Sequence, residues 1–196
     1  MNILVFVKQV PENDKITIDR EKGTLVREGV PSIMNIPDKN AVEEALRLKE
    51  KNGGTVTLVT MGLPQAKDIL TEGIAMGAEA GVLLTDRAFG GADTLATARV
   101  LAGAARYLGE FDLIFCGVQS SDGSTGQIAS KVAEILGLPA LTAADAMTVD
   151  GNEVLITRRN GLRCEKIKSA LPLVCSVTTK INEPRQPGMK DRIAAK

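Results

Sequence analysis

The stretch 112-DLIFCGVQSSDGSTGQ-127 joins an apolar run to a loop rich in glycine and hydroxyl residues. Its first part, 112-DLIFCG-117, has the nearly continuous hydrophobicity of a strand buried on both faces of a parallel sheet. A helical pattern follows at 126-GQIASKVAEIL-136 and ends at Gly137, with Pro139 beyond it. A buried strand, a loop with many bare backbone amides and a helix predict one unit of an α/β fold.

Other segments of the chain repeat this alternation of strands and helices. Further apolar runs of the same character are 2-NILVFVKQV-10, 55-TVTLVTM-61, 81-GVLLT-85 and 173-LVCSVT-178. Helical patterns occupy 39-KNAVEEALRLKEK-51 with Asp38 as the predicted N-cap, Gln65 to Met76, and 92-ADTLATARVLAGAARYL-108 with Asp93 or Thr94 as the cap. The pattern predicts a three-layer α/β domain with a mostly parallel sheet and right-handed crossovers.

Two segments depart from the alternation. Residues 16-ITIDREKGTLVREG-29 are predicted to form a hairpin that turns near Lys22-Gly23. Residues 147-MTVDGNEVLITRRNGLRCEKIK-168 are predicted to form a small antiparallel excursion with turns at Asp150-Gly151 and Asn160-Gly161. The last segment, 180–196, has no core pattern and is expected to run over the surface.

Composition excludes several classes of function. The chain has 196 residues, 24 basic and 24 acidic side chains, and no histidine. Zero net charge argues against a nucleic-acid-binding surface, and the absence of histidine excludes Ser-His and Cys-His nucleophilic machinery. Three cysteines without CxxC spacing favour reduced thiols in the cytoplasm over a disulfide framework or a zinc site. We expect no membrane insertion, and no signal or transit peptide before the first strand.

The loop at 117-GVQSSDGSTGQ-127 lies where α/β proteins bind ligands, beyond the carboxyl end of a strand. Its glycines let the backbone approach a ligand, and the next helix presents free amides to an anion. These features predict a phosphate-binding loop. The loop is not a Walker A motif, because five residues separate Gly117 from Gly123 and no lysine precedes Ser124. An ordinary Gly/Ser loop beside a core strand is the alternative.

Other features converge on the same edge of the predicted sheet. The first strand ends in Lys8-Gln9, the second ends in Met61-Gly62, and 34-MNIPDKN-40 precedes the first long helix. The dinucleotide fingerprint G-x-G-x-x-G is absent after the first strand, where 7-VKQVPEN-13 stands instead. This convergence favours a nucleotide site over a plain loop, without identifying the nucleotide.

Several of these stretches, taken in order and without large gaps, resemble the β subunit of electron-transfer flavoproteins. The resemblance covers essentially the whole chain and is closest to the electron-bifurcating type. Its matching stretches are 7-VKQVPEN-13, 22-KGTLVREGVPSIMNIPDKNAVEEALRLKE-50, 74-IAMGAEAGVLLTDRAFGGADTLATA-98, 112-DLIFCGVQSSDGSTGQ-127 and 182-NEPR-185.

The resemblance implies a Rossmann-like, adenine-nucleotide-binding α/β fold and a heterodimer with an α subunit that carries FAD. Conventional β subunits of the family bind AMP, which has a structural role. In bifurcating members the β subunit binds a second FAD, which accepts a hydride from NADH and sends its two electrons to different acceptors.

By alignment, the resemblance also implies a set of residues that contact the nucleotide. They are Phe6, Asn35, Ile36, Pro37, Asp38, Met61 and the segment from Gly117 through Ile128, including Gln119, Asp122, Gly123, Ser124, Thr125, Gly126 and Gln127. Ser124 replaces an acid that is frequent in the family, which removes a negative charge beside the expected phosphate.

FAD is preferred to AMP because 86-DRAFGGADTLATA-98 and 24-TLVREGVPSIMNIPDKN-40 resemble the bifurcating versions. In such members the first of these segments approaches the flavin ring, so Asp93, Thr94 and Thr97 are expected to contact it. The alternative is that Asp93 or Thr94 simply caps the helix, with Thr97 on a solvated turn.

The segment 182-NEPRQPGMK-190 resembles the family's recognition loop for acyl-CoA dehydrogenases. The resemblance implies that Asn182, Glu183, Pro184, Arg185 and Met189 bind the partner, although Gln186 replaces the usual tyrosine. We therefore divide the chain into a nucleotide-binding domain, 1–180, and a recognition loop with the start of a C-terminal arm, 181–196. A disordered basic tail is the alternative.

Three functional hypotheses remain at this point. The leading one is an electron-transfer subunit in which the flavin does the redox chemistry, so that no catalytic residue is named. The second is a module that carries AMP and no redox centre. The third, an ATP-hydrolysing or adenylating enzyme, is disfavoured because the phosphate loop lacks a lysine and no metal-binding acid pair is evident.

Overall fold

A computed structural model describes residues 1–12 and 31–195, together with the backbone of residues 18–19 and 24–25. The strands are β1 (Asn2–Phe6), β2 (Gln9–Pro11), β3 (Ile18–Asp19), β4 (Thr24–Leu25), β5 (Ser32–Met34), β6 (Thr55–Met61), β7 (Ala80–Leu84), β8 (Leu113–Gly117), β9 (Ala140–Ala144), β10 (Ala146–Asp150), β11 (Glu153–Asn160), β12 (Arg163–Ala170) and β13 (Leu173–Val177). The helices are α1 (Ile36–Asn52), α2 (Lys67–Met76), α3 (Thr94–Leu108), α4 (Ile128–Leu136) and α5 (Met189–Ala194).

Six strands form a central sheet in the order β7-β6-β1-β8-β13-β9, and each neighbouring pair is parallel. Alternate side chains of β1 enter different cores: Ile3 and Val5 pack with residues of α1 and α2, and Leu4 packs with residues of α3 and α4. The sheet therefore lies between two helical layers, which confirms the predicted three-layer α/β fold.

The order of the strands reverses twice, and the first reversal follows β7. From β1 the chain proceeds outward to β6 and β7, and then returns to place β8 on the other side of β1. The helical layer changes at the same step, because α1 and α2 pack on one face and α3 and α4 on the other. In open α/β sheets such a reversal opens a crevice at the carboxyl ends of the two strands that flank it, here β1 and β8.

A three-stranded antiparallel sheet, in the order β10-β11-β12, adds to one face of the domain. Its turns pass through Gly151 and Gly161, at φ values of 55° and 60° that favour glycine. Val149, Val154 and Ile156 are buried in the core shared with α1 and α2. The predicted antiparallel excursion is confirmed.

The structure corrects several predicted boundaries. The apolar run from residue 2 to residue 10 is two strands, since β1 ends at Phe6 and β2 pairs antiparallel with β5. Asp38 is not an N-cap: α1 begins at Ile36 after Asn35, and Asp38 lies buried inside the first turn. Proline is favoured in that first turn, and Pro37 therefore marks the earlier start.

Other differences concern short elements. The sixth central strand, β9, was not expected, and neither was the six-residue helix α5 within the predicted surface segment. The antiparallel pairing of β3 with β4 confirms the hairpin, although its predicted turn at Lys22-Gly23 lies outside the described residues.

Two aromatic residues give a matched test of the central core. Phe115 of β8 is fully buried, whereas Tyr107 of α3 is 90% exposed. We expect Phe115→Ala to lower the free energy of unfolding by about 3–5 kcal/mol, because it removes buried area and leaves a cavity. Tyr107→Ala should change it by less than about 0.5 kcal/mol. Urea denaturation of both variants measures the difference, and equal effects would contradict this placement of the core.

Candidate functional site

The crevice between β1 and β8 opens because the two strands stop pairing before they end. Their parallel register extends only from Ile3 opposite Leu113 to Val5 opposite Phe115. Beyond it, the chain after β1 turns toward β6, where Val7 N–H donates to a carbonyl, and the chain after β8 turns toward β13. Backbone groups at this gap consequently need other hydrogen-bond partners.

Asp38 supplies a partner to both sides of the gap. Its Oδ2 accepts from the N–H of Lys8 at 2.9 Å, and its Oδ1 accepts from the N–H of Gly117 at 2.8 Å. A Cβ atom at Gly117 would lie 2.4 Å from Asp38 Oδ1 and 2.7 Å from Pro37 Cβ. Glycine is therefore required at this position by the close approach of α1 and not by its φ angle.

The environment of Asp38 shifts its protonation. Burial raises the pKa of its carboxyl group from 3.8 to about 7, and hydrogen bonds from Asn35, Gly117 and Lys8 oppose that rise. The buried Cys116 thiol nearby has a pKa raised by burial and by the Asp38 charge, so it is not a reactive thiolate.

Asn35 fixes the loop that follows β8. Its side chain is 1% exposed. The Nδ2 group donates to the Gln119 carbonyl at 3.0 Å, and Oδ1 accepts from the Ser121 N–H at 3.2 Å. Its own N–H donates to the Lys8 carbonyl at 2.9 Å. Asn35 and Asp38 together attach the start of α1 to both rims of the crevice.

The second half of the loop has an unusual backbone. Ser124 has a φ of 47° and Gly126 a φ of 63°, both in the left-handed region. The Ser124 conformation costs on the order of 1 kcal/mol, and a hydrogen bond from its N–H to the Ser120 carbonyl at 2.9 Å helps to hold it. Within the described part of the chain, the N–H groups of residues 125–130 meet no acceptor. They form a row of free donors at the start of α4.

The side chains of Lys8 and Asp122 connect the two rims of the crevice. Lys8 Nζ lies 2.6 Å from Asp122 Oδ1 and 3.4 Å from Ser120 Oγ. Burial alone would raise the pKa of Asp122, but hydrogen bonds from Lys8 and Ser120 hold it below its ordinary value. Lys8 is not among the nucleotide contacts that the resemblance implies, although its place two residues after β1, at the edge where the other features converge, pointed to the site.

The start of α3 adjoins the loop. Asp93 Oδ1 accepts from the N–H groups of Leu95 and Ala96 at 2.9 and 2.8 Å, which confirms its predicted capping role and lowers its pKa. Thr94 Oγ1 donates to Gln127 Oε1 at 3.0 Å and accepts from the ammonium group of Lys131. Thr97 is half-buried one turn later. An open hollow beside Asp93 is lined by residues 88, 90–93, 95, 96 and 99.

Most of the expected nucleotide contacts thus lie at the crevice, and a few differ in exposure. The Phe6 side chain is 4% exposed and packs in the core, whereas Ile36 is 60% exposed. Met61 is half-buried at the end of β6, Ile128 is half-buried at the start of α4, and Thr125 is exposed.

The expected partner-binding segment lies elsewhere, against the middle of α1. The Arg185 guanidinium contacts Glu43 at 2.8 Å and Glu50 at 2.6 Å. Asn182 exchanges side-chain and backbone hydrogen bonds with Asn40. Arg185 and Asn182 are therefore held on the domain.

Other residues of this segment face solvent. Glu183 is exposed, Pro184 is half-buried, and Met189 of α5 is 79% exposed.

No cluster of His, Cys, Asp and Glu within the described residues is arranged to hold a metal ion. Among the described helices, none has both the length and the apolar composition of a membrane span.

Comparison with known proteins shows where the chain belongs. The family model described as "Electron transfer flavoprotein domain" matches residues 22–195. An electron transfer flavoprotein subunit beta of Clostridium acetobutylicum is 48% identical over 185 residues, which cover 94% of this chain and 71% of the relative. The caffeyl-CoA reductase-Etf complex subunit CarD of Acetobacterium woodii is 42% identical over 94% of this chain and 71% of its own length. The acryloyl-CoA reductase electron transfer subunit gamma of Anaerotignum propionicum is 39% identical over 94% and 70%.

The Asp38 carboxyl group predicts a dependence of stability on pH. Its folded-state pKa of about 7 lies above the ordinary value of 3.8, so the folded chain binds this proton more tightly than the unfolded chain. Its contribution is complete below about pH 4 and is lost as the pH rises through about 7. Relative to Asp38→Asn, the free energy of unfolding of the wild type should fall by about 2 kcal/mol between pH 5 and pH 8. The control, Asp68→Asn on the exposed surface of α2, should follow the wild type. Parallel profiles for all three proteins would show that Asp38 does not titrate in this range.

The Arg185 contacts predict that the segment 182–188 is protected on α1. Arg185→Lys replaces a planar fork that holds both Glu43 oxygens and Glu50 with a single ammonium group. We expect hydrogen exchange of the Arg185 amide, whose N–H donates to Glu43, to accelerate about tenfold, because local opening becomes easier. The control is Arg192→Lys. The Arg192 side chain donates to the Pro187 carbonyl on the exposed surface, and its replacement should change the same exchange rate by less than about twofold. Unchanged exchange in Arg185→Lys would mean that other contacts hold the segment.

Proposed function

Since the chain belongs to the electron transfer flavoprotein family, we propose that it is the β subunit of a heterodimeric electron transfer flavoprotein and that its β1–β8 crevice binds FAD. In this proposal the subunit is of the electron-bifurcating type and passes electrons between NADH or a dehydrogenase and the FAD of the α subunit. The flavin, when bound, supplies the redox chemistry, and the chain binds and orients it.

The free amides of residues 125–130 are the observation that carries the proposal. They lie at the N-terminus of α4, where the helix dipole favours an anion, and beside the switch point of the sheet. Several uncapped donors at one helix start fit the phosphate groups of an adenine nucleotide. Ser124 and Gly126, with their left-handed backbone, bend the loop around this position.

Residues at the start of α3 support FAD as the nucleotide. A dinucleotide extends beyond its phosphates, and the hydrogen bond between Thr94 and Gln127 places α3 beside the phosphate loop. In this proposal Asp93, Thr94 and Thr97 contact the flavin, and Asp93 is the one of the three that lines the open hollow at the start of α3. Two relatives, named for caffeyl-CoA reductase and acryloyl-CoA reductase, are subunits of reductase complexes by their names, which is consistent with a redox role.

A second candidate is an AMP-binding β subunit without a redox centre of its own. The same free amides can donate hydrogen bonds to a single phosphate. Few aromatic rings lie near the α3 start to stack on a flavin: Phe89 is half-buried there, and the chain as a whole is 3% aromatic. This scarcity is the observation that favours AMP.

The remaining assignments extend the proposal to partners and location. Residues 1–180 would bind the nucleotide, and 181–196 would form the recognition loop and the start of an arm toward the α subunit. Glu183 and the exposed Met189 would contact an acyl-CoA dehydrogenase or a similar flavoprotein. Free thiols at Cys116, Cys164 and Cys175 fit a reducing compartment, so we place the protein in the cytoplasm.

Nucleotide content tests the proposal. The chain is co-purified with its α subunit, the complex is denatured, and the FAD and AMP released per heterodimer are quantified. We expect two FAD and no AMP, and the α subunit purified alone gives the count for its own site. One FAD with one AMP would establish the second candidate and would remove Asp93, Thr94 and Thr97 from the flavin contacts. A complex with one FAD and no AMP would overturn both candidates.

A further inference from the structure

Lys8 is held at the centre of the crevice by its backbone. Its N–H donates to Asp38 and its carbonyl accepts from the N–H of Asn35. Only its side chain is free to move, and that side chain crosses from the end of β1 to the loop after β8. There the ammonium group contacts Asp122 and Ser120.

The phosphate loop itself contains no basic residue. A Walker A loop carries its own lysine, which reaches the phosphates, but the segment from Gly117 to Gln127 has none. Lys8 reaches this loop from the neighbouring strand and supplies the cation that it lacks.

A purely structural role accounts poorly for this ion pair. The Lys8 side chain is 46% exposed and that of Asp122 is 11% exposed. Ion pairs with one partner in solvent add little to stability, and the rims of the crevice are already fixed by Asn35 and Asp38. An ammonium group has three donors, so it can keep a contact with the loop while it binds a ligand.

We propose that Lys8 binds a phosphate group of the nucleotide and that Asp122 holds its ammonium group at the crevice until the nucleotide arrives. The inference rests on the proposed function, in which this crevice binds an adenine nucleotide. On binding, the phosphate competes with Asp122 for Lys8 Nζ, and its larger negative charge draws the ammonium group from the carboxylate. Asp122 keeps its hydrogen bonds with Ser120 and the Gly123 backbone, so its charge remains satisfied after the exchange.

Calorimetric titration with AMP, with FAD and with adenosine, which lacks the phosphate, tests the exchange. The full chain is titrated alone and in complex with the α subunit. Lys8→Gln should weaken AMP binding about 10- to 100-fold and change adenosine binding less than about twofold, since a charge-assisted hydrogen bond to phosphate is lost. Lys8→Arg keeps the charge and should bind AMP within about fivefold of the wild type. Asp122→Asn should tighten AMP binding about three- to tenfold, because a repelling charge is removed while an acceptor for Lys8 remains.

Lys49→Gln is the matched control. Lys49 Nζ also lies 2.6 Å from a carboxylate, Glu79 Oε1, but near the other end of α1. It should leave AMP binding unchanged, and thermal unfolding of every variant checks that the fold persists.

The outcomes separate this inference from the proposed function. If the wild type binds no AMP or FAD in either form, the proposed function fails, and the role of Lys8 fails with it. If the wild type binds AMP and Lys8→Gln binds it equally well, only the role of Lys8 is overturned. Weaker AMP binding by Asp122→Asn would show that Asp122 contacts the ligand itself, which overturns the exchange.

Discussion

The whole crevice depends on one buried carboxylate that joins two diverging strands. Where β1 and β8 part, the N–H groups of Lys8 and Gly117 lose the partners that a parallel ladder would give them, and Asp38 accepts from both. The arrangement costs the desolvation of a carboxyl group, which is why its pKa is raised. The two hydrogen bonds to Asp38 fix the first turn of α1 at the carboxyl edge of the sheet. This close approach leaves no room at position 117 for a side chain larger than that of glycine.

Because α1 is fixed there, it connects two surfaces that the proposed function treats separately. Asn35, just before its first turn, and Asp38, inside that turn, hold the rims of the crevice. Asn40 and Glu43, within the next two turns, hold Asn182 and Arg185 of the C-terminal segment. The helix is continuous over this stretch. Both sets of contacts therefore depend on the position of this one helix.

The sequence predicted what depends on local patterns and missed what depends on distant partners. Buried parallel strands and the loop after β8 were evident because apolar runs and glycines carry their own signal. The sequence predicts Asp38 as an N-cap, because an acid near a helix start gives the same pattern in both cases: when it accepts hydrogen bonds from its own helix and when it accepts them from neighbouring strands. The alanine-rich β9 lacks strand character, and its conformation comes from pairing with β13. Lys8 and Asp122 are 114 residues apart, so no local pattern joins them.

The geometry also separates phosphate binding from the choice of nucleotide. In the proposed function, the free amides at the start of α4 bind a phosphate whatever is attached to it, and the role proposed for Lys8 does not depend on the attached group either. In that proposal, the contacts that distinguish FAD from AMP must therefore lie beyond the loop, at the start of α3. The side chains of Thr94, Gln127 and Lys131 connect these two helix starts. In the proposed function, a change confined to α3 would accordingly alter the cofactor while leaving the phosphate loop intact, so the loop sequence predicts a nucleotide site without identifying its nucleotide.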